Sequence, residues 1–259
     1  MSWTPGALAP APGAAPVGRM LLAQTRAELT LLLRNSEQVL LTLVIPLGLL
    51  VVLTLVPFIT VAGATTHSQR ADFFVPGVLA LAIMSTAFTG QAIGVGFERQ
   101  YGVLKRIGAT PLPRSVLLLA KTLGVLCVEV LQLALLSGVG LLLGWSPHGR
   151  VVAVLALVAL GTAAFSGLGL LLGGTLRGLT VLAAANLVWF VLLILGGVLF
   201  PLAQFGSAGQ VLQFLPTAAL SHGLRSVLQD GGLPLRDVAA LAVWSVLSLT
   251  AAAKAFRWE

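Results

Sequence analysis

Charge is what this chain has least of. Of its 259 residues only eight are Asp or Glu, fifteen are Lys or Arg, and charged residues together make up 9%. Soluble domains carry about 25% charged residues. A chain this poor in charge does not coat itself for water. One cysteine, Cys127, excludes an intrachain disulfide framework and a multi-thiol metal site. The three histidines, His67, His148 and His222, are far apart and lack a paired His-Glu signature, so no metal centre is expected. No Gly-x-x-x-x-Gly-Lys-Ser/Thr run occurs; only Lys121 among the three lysines precedes a threonine, and Ala120 stands where glycine is required. ATP binding through a P-loop is excluded for this chain. The serines and carboxylates form no nucleophile arrangement either, so the chain is not expected to be an enzyme.

What is abundant is apolar. Hydrophobic residues reach 58% and the mean hydropathy is +1.02. A bilayer core of about 30 Å needs about 20 apolar residues per helical crossing. Six apolar segments of roughly that length follow one another, at 39–62, 73–96, 115–144, 151–176, 179–200 and 237–253. The expected fold is therefore all-α and polytopic, a six-span domain over 38–259. Before it, 17–37 reads as an amphipathic interface helix. Leu21, Leu22, Leu29, Leu32 and Leu33 share one sector, and Arg19, Arg26, Thr30, Arg34 and Glu37 the other. Such a helix lies in the membrane plane with its arginines toward lipid phosphates. Residues 1–16, rich in Ala and Pro and without the basic and apolar regions of a signal peptide, read as a disordered tail.

The basic residues set an orientation. With the N-terminus inside, Arg19, Arg26, Arg34, Arg99, Lys105, Arg106, Arg114, Lys121, Arg177, Lys254 and Arg257 face the cytosol, against Arg70, Arg150, Arg225 and Arg236 outside. Eleven against four is a positive-inside bias, and an even span number places both termini in the cytosol. The net charge of +7 is thereby assigned to topology rather than to nucleic acid. Trp145 and Trp258 fall where aromatic-belt residues sit. Abundant Ala, Gly and Leu, with Arg over Lys, fit a GC-rich bacterial genome and hence the bacterial cytoplasmic membrane.

Polar residues inside spans are few. Glu129 lies near the middle of the third segment, with Gln132 one turn on and Gln91 and Asn186 in other segments. Intramembrane carboxylates face a bundle interior or a watery path. Glu129 is expected either to line a path or a subunit contact, or to be held by a hydrogen bond to another helix. Glycines four apart, Gly90 with Gly94, Gly140 with Gly144 and Gly169 with Gly173, allow helices to approach closely, within one subunit or between two.

The longest charged interruption runs Phe97-Glu98-Arg99-Gln100-Tyr101-Gly102-Val103-Leu104-Lys105-Arg106-Ile107-Gly108-Ala109-Thr110-Pro111-Leu112-Pro113-Arg114. A helix over 98–107 would carry Glu98 in its first turn and Lys105-Arg106 in its last, favourable with the helix dipole, and Gly108 and Pro111 would end it. A second irregular stretch, 201–236, contains Pro201, Phe214-Leu215-Pro216-Thr217 and Gly223-Leu224-Arg225, with helices too short to cross. Each has a plainer alternative: a basic turn anchoring the membrane face, and an ordinary outside loop.

Placed after the second span, the first stretch resembles the cytoplasmic loop of permease subunits of type-2 ATP-binding-cassette exporters, the group that includes the daunorubicin-type drug exporters. The matching residues are Phe97-Glu98-Arg99, Gly102, Leu104-Lys105-Arg106 and Ala109 to Arg114. The resemblance implies a coupling helix that docks on a separate ATPase subunit, with Glu98, Arg99, Gly102, Leu104, Lys105 and Arg106 at the contact. It implies that 201–228 forms re-entrant helices of an extracellular gate, with Pro201, Pro216 and Arg225 as its marks. It also implies a second permease chain, two copies of the ATPase, ATP and Mg on that partner, and an amphiphilic small molecule exported. An ion-coupled carrier using Glu129, or a non-transporting membrane scaffold, are the alternatives from other classes.

Overall fold

The computed structural model describes residues 14–56, 66–176, 178–232 and 234–256. Most of the 1–16 tail, the end of the first apolar segment, Arg177, Arg257, Trp258 and the side chain of Glu37 lie outside the described residues. Among those described, every regular element is helical.

Helix α1 (Val17–Arg34) follows Pro16 and stops at Asn35, whose N–H still bonds to the Leu31 carbonyl. The helix expected over 17–37 is therefore broken at Asn35, and α2 (Ser36–Leu55) begins at once. α3 (His67–Ile83) opens with a capping box: Thr66 accepts from the Gln69 N–H, and the Gln69 side chain accepts from the Thr66 N–H. A π-helical segment, Met84–Gly90, joins α3 to α4 (Gln91–Gln100), making one rod of 34 residues from His67 to Gln100. The short α5 (Val103–Gly108) leads to α6 (Arg114–Leu142), α7 (Val151–Thr175) and α8 (Leu179–Leu195). A 3-10 turn (Leu202–Ala208), α9 (Gly209–Leu212), α10 (Pro216–Arg225) and a π-helical turn (Ser226–Asp230) precede α11 (Leu235–Ala255).

Four of these helices are long and apolar enough to cross a membrane: His67–Gln100, Arg114–Leu142, Val151–Thr175 and Leu235–Ala255. Of the other apolar helices, α8 has 17 residues, and α2 has 20 with its described apolar stretch at Thr42–Leu55. At 1.5 Å per residue, 17 residues reach roughly 25 Å, short of a hydrocarbon core of about 30 Å. Four of the six expected segments correspond to the four long helices, and the other two to α2 and α8.

α7 is the centre of the bundle because it is glycine-rich on two faces. A Cβ on Gly169 would stand 2.7 Å from the Phe88 carbonyl oxygen, and one on Gly173 would meet that of Ala92 at 2.5 Å. On the other face, a Cβ on Gly174 would meet the Phe256 ring at 2.6 Å and one on Gly167 would meet Ser248. Backbone contact with α4 and α11 is possible only without side chains there. Ser248 and Ser245 turn their hydroxyls to the α7 carbonyls of Ala164 and Leu160, 3.0 and 2.9 Å away. Of the spaced pairs, Gly169 with Gly173 makes close approach within the chain, whereas Gly94 has nothing within 4 Å of an added Cβ. Trp145, expected in an interfacial belt, is buried against Gly140 in the main apolar core.

On α1, Leu21, Leu29 and Leu32 are half-buried. Leu22 and Leu33 are exposed, and the one fully buried residue of the helix is Glu28. Arg19, Arg26 and Arg34 are exposed.

Candidate functional site

The segment 97–114 lies at the end of the bundle where α4, α6, α7 and α11 meet. It is not one helix. α4 runs to Gln100, Gly102 takes φ +69° and ψ 16°, and a new helix starts at Val103. Most side chains avoid that left-handed conformation, at a cost of roughly 1 to 2 kcal/mol. An added Cβ on Gly102 would have nothing within 4 Å, so within this chain the glycine serves the turn and not a close approach.

The turn sorts its residues into two sets. Leu104 is fully buried, in a small apolar cluster with Val95, Leu117, Leu118, Leu170, Ala252 and Phe256. Arg99 is buried too, and donates from Nη1 to the carbonyls of Gly174 at 3.0 Å and Leu176 at 3.2 Å, where α7 ends. Glu98 turns the other way, to Lys121. Tyr101, Val103, Lys105, Arg106, Ala109, Thr110 and Pro111 are exposed. Tyr101 stacks on Phe97 with ring centroids 6.1 Å apart. The resemblance assigns Glu98, Arg99 and Leu104 to a motor contact; in this structure they face the chain's own helices, and Lys105 and Arg106 remain on the outer side.

Arg99, like Arg70 and Arg225, bonds several backbone carbonyls at once. The last carbonyls of a helix have no intrahelical donor, and a guanidinium with five N–H groups can serve several at once. Arg70 donates to Leu53, Thr54 and Val56 at 2.6, 3.0 and 2.7 Å, closing the end of α2. Arg225, at the end of α10, donates to Gly197, Val198 and Phe73 at 2.7, 3.1 and 3.1 Å, with its guanidinium carbon 4.0 Å from the Phe73 ring centroid. The sequence reading places Arg70 only as an outside charge; its position three residues before the apolar run at 73–96 is the available signal.

Arg225 organises the irregular region at the opposite end of the bundle. Pro201 precedes the 3-10 turn, and Pro216 occupies the first turn of α10, where its missing N–H costs nothing. α10 is buried from Pro216 to Ser221 and packs on α3, α7 and α11. The two short helices expected there become a 3-10 turn, α9, α10 and a π turn. His222 Nδ1 stands 2.7 Å from the buried carboxylate of Asp237 in the first turn of α11, which Arg236 also approaches at 3.2 Å.

Between the two ends, polar groups meet at one level. Thr162 of α7 donates to Glu129 of α6, and the other Glu129 oxygen has no protein partner. Gln132 donates to the Thr42 carbonyl at 2.6 Å and accepts from Thr86 of the π segment at 3.0 Å. These three groups border a small crevice with Leu32, Leu33, Leu43, Val128 and Leu131. Gln91 is buried without a side-chain partner. Asn186 is exposed on α8, away from this level. So Glu129 and Gln132 share a neighbourhood, and Asn186 does not join it.

The arrangement that sequence reasoning missed is a buried ion triad. Lys121 Nζ lies 2.9 Å from Glu28 Oε2 and 2.7 Å from Glu98 Oε2, and Gln24 donates to Glu28 Oε1 at 2.8 Å. Its signal was a carboxylate on a helix otherwise decorated with arginines.

Among the described residues no group of three His, Cys, Asp or Glu could hold a metal ion. No curated protein matches the chain. A family model described as ABC-2 type transporter matches residues 20–228, a stretch that contains most of α1, the turn after α4, the polar level and the region around Arg225. The chain belongs to the ABC-2 type transporter family.

Proposed function

We propose that this chain is the permease subunit of an ATP-driven exporter in the bacterial cytoplasmic membrane, moving an amphiphilic small molecule outward. A separate P-loop ATPase, in two copies and carrying ATP and Mg, supplies the work, and a second permease chain, identical or homologous, completes the pathway. Both termini, and the bundle end with the 97–114 turn, face the cytosol. The observation that carries this reading is the two-sided character of that turn. Tyr101, Val103, Lys105 and Arg106 are displayed outward, while Leu104 and Arg99 fasten the same few residues to α6, α7 and α11. A basic loop that only anchored the membrane face would need no such fastening.

Force on α5 then passes to the ends of three long helices at once. The bundle tilts as a unit and the outer region 201–228, stapled by Arg225, is the element that must yield to open an exit. Gln132 and Thr86, which border the small crevice, are the polar groups an amphiphile would meet there as the helices part, with Glu129 buried beside them. Apolar pockets with a few placed polar groups are the usual form of small-molecule sites.

Purification of the tagged chain from its native membrane, with mass spectrometry and an ATP hydrolysis assay, tests the reading. A stoichiometric P-loop ATPase that is lost with Arg106→Glu, while membrane insertion persists, is the expected result. A chain that purifies without any ATPase, under conditions that preserve other membrane complexes, would overturn it.

A further inference from the structure

The apolar residues of helix α1 are half-buried or exposed, yet the helix buries Glu28. It lies against α6, and the approach is close at Gly124, where an added Cβ would stand 3.2 Å from the Glu28 Cβ. Three residues before Gly124, Lys121 reaches Glu28 on one side and Glu98 on the other. The side chains are 5% exposed for Lys121, 8% for Glu28 and 24% for Glu98, so water screens these contacts little.

A buried ion pair is a poor device for stability alone. The desolvation of its charges offsets most of their attraction, and well-packed apolar residues in its place are often as stable or more so. What it does well is to fix which groups sit together, because leaving any one charge unpartnered in that interior is heavily penalised. Here the fixed set spans three elements: the interface helix through Glu28, α6 through Lys121, and the last turn of α4 through Glu98. Glu98 directly precedes Arg99, whose guanidinium holds the end of α7. The α4 to α5 turn is thus held on both sides, and α1, which packs along α6, is tied to it by charge through Lys121.

We infer that Lys121 is a positioning residue for coupling: by holding Glu98 and Glu28 together it makes α1 move with the α4 to α5 turn. This rests on the proposed permease reading, since the movement is the ATPase stroke received by α5. α1 carries Arg19, Arg26 and Arg34 on its exposed face, so a displacement of α1 is resisted by lipid phosphates. The triad therefore decides whether a stroke on the α4 to α5 turn is passed on to α1.

Spin-label distances in the full complex with its ATPase, reconstituted in phosphatidylglycerol-containing vesicles, test this. In a Cys127→Ser background, Ala23→Cys on α1 and Ala109→Cys after α5 are each paired with Ser146→Cys at the opposite end; all three sites are exposed. In the otherwise unchanged protein, trapping with ATP and vanadate shifts both distances. In the neutral triple variant Glu28→Gln, Lys121→Met, Glu98→Gln, the Ala109 shift persists and the Ala23 shift is lost. An Ala23 shift retained in that variant overturns the inference and leaves the permease reading intact. Should the neutral variant lose its ATPase, the charge-reversed Glu28→Lys, Lys121→Glu, Glu98→Lys decides: both shifts restored support the link, and an absent Ala23 shift overturns it. A wild-type background with no bound ATPase and no shift at either site overturns both readings.

Discussion

Arg99 donates to the Gly174 carbonyl at 3.0 Å, joining the last turn of α4 to the last turn of α7 across 75 residues of chain. The bond satisfies a carbonyl that its own helix cannot, and it sits one residue beyond Glu98. Replacing Arg99 with alanine removes a charged donor from buried carbonyls, at about 1.5 to 3 kcal/mol for each lost bond. Arg99→Ala is expected to lower the melting temperature of the detergent-purified protein. Arg99→Lys, which offers a point charge in place of a fork, should recover only part. Arg106→Glu, on the exposed side, should leave melting unchanged while losing the ATPase, so the two arginines separate on one pair of measurements.

Gly102→Ala should be mild and specific. Nothing stands near the added methyl, so the cost is conformational, roughly 1 to 2 kcal/mol for a non-glycine residue in that region. Gly102→Asn, which tolerates left-handed backbone better, should cost less. Thermal denaturation of both variants gives the order, and equal effects would mean that the +69° conformation is not what the position requires.

Gly173→Leu should prevent assembly of the bundle, because its side chain would begin 2.5 Å from the Ala92 carbonyl oxygen, a backbone atom that cannot swing away. Gly94→Leu, with no neighbour within 4 Å of the first added carbon, serves as the matched control on the neighbouring helix. Size-exclusion profiles of the two purified variants are expected to differ, with a folded peak for Gly94→Leu alone.

Arg225→Met should loosen the outer region without disturbing the 97–114 turn. Three carbonyls, of Phe73, Gly197 and Val198, lose their donor together, and the Phe73 ring loses a cation. Hydrogen exchange is expected to rise in 197–230 and to stay at its original level in 99–108. A uniform rise through both segments would mean that the staple supports the whole bundle.

The difference between what was legible and what was not follows the physics of each signal. Long apolar runs announce helices directly, and α6 and α7 begin and end within two residues of the segments read from sequence. The turn at Gly102 was hidden, because 98–107 has good helix formers on both sides of a single glycine and propensity is local. The split between inward Glu98, Arg99 and Leu104 and outward Lys105 and Arg106 was hidden as well. A charged residue at a membrane boundary reads as exposed until a carbonyl or counter-ion on another helix is known to meet it.

Glu28 shows where that line falls. Composition, the order of apolar runs and the basic stretch after the second run are properties of the chain itself, and they were enough to fix a helical membrane protein, its family resemblance and the absence of a P-loop. Whether Glu28 faces lipid phosphates or lies beneath them depends on Lys121, 93 positions away, and on Gly124 letting the two helices touch. Burial of a charge is set by the partner it finds, and that partner is chosen by packing.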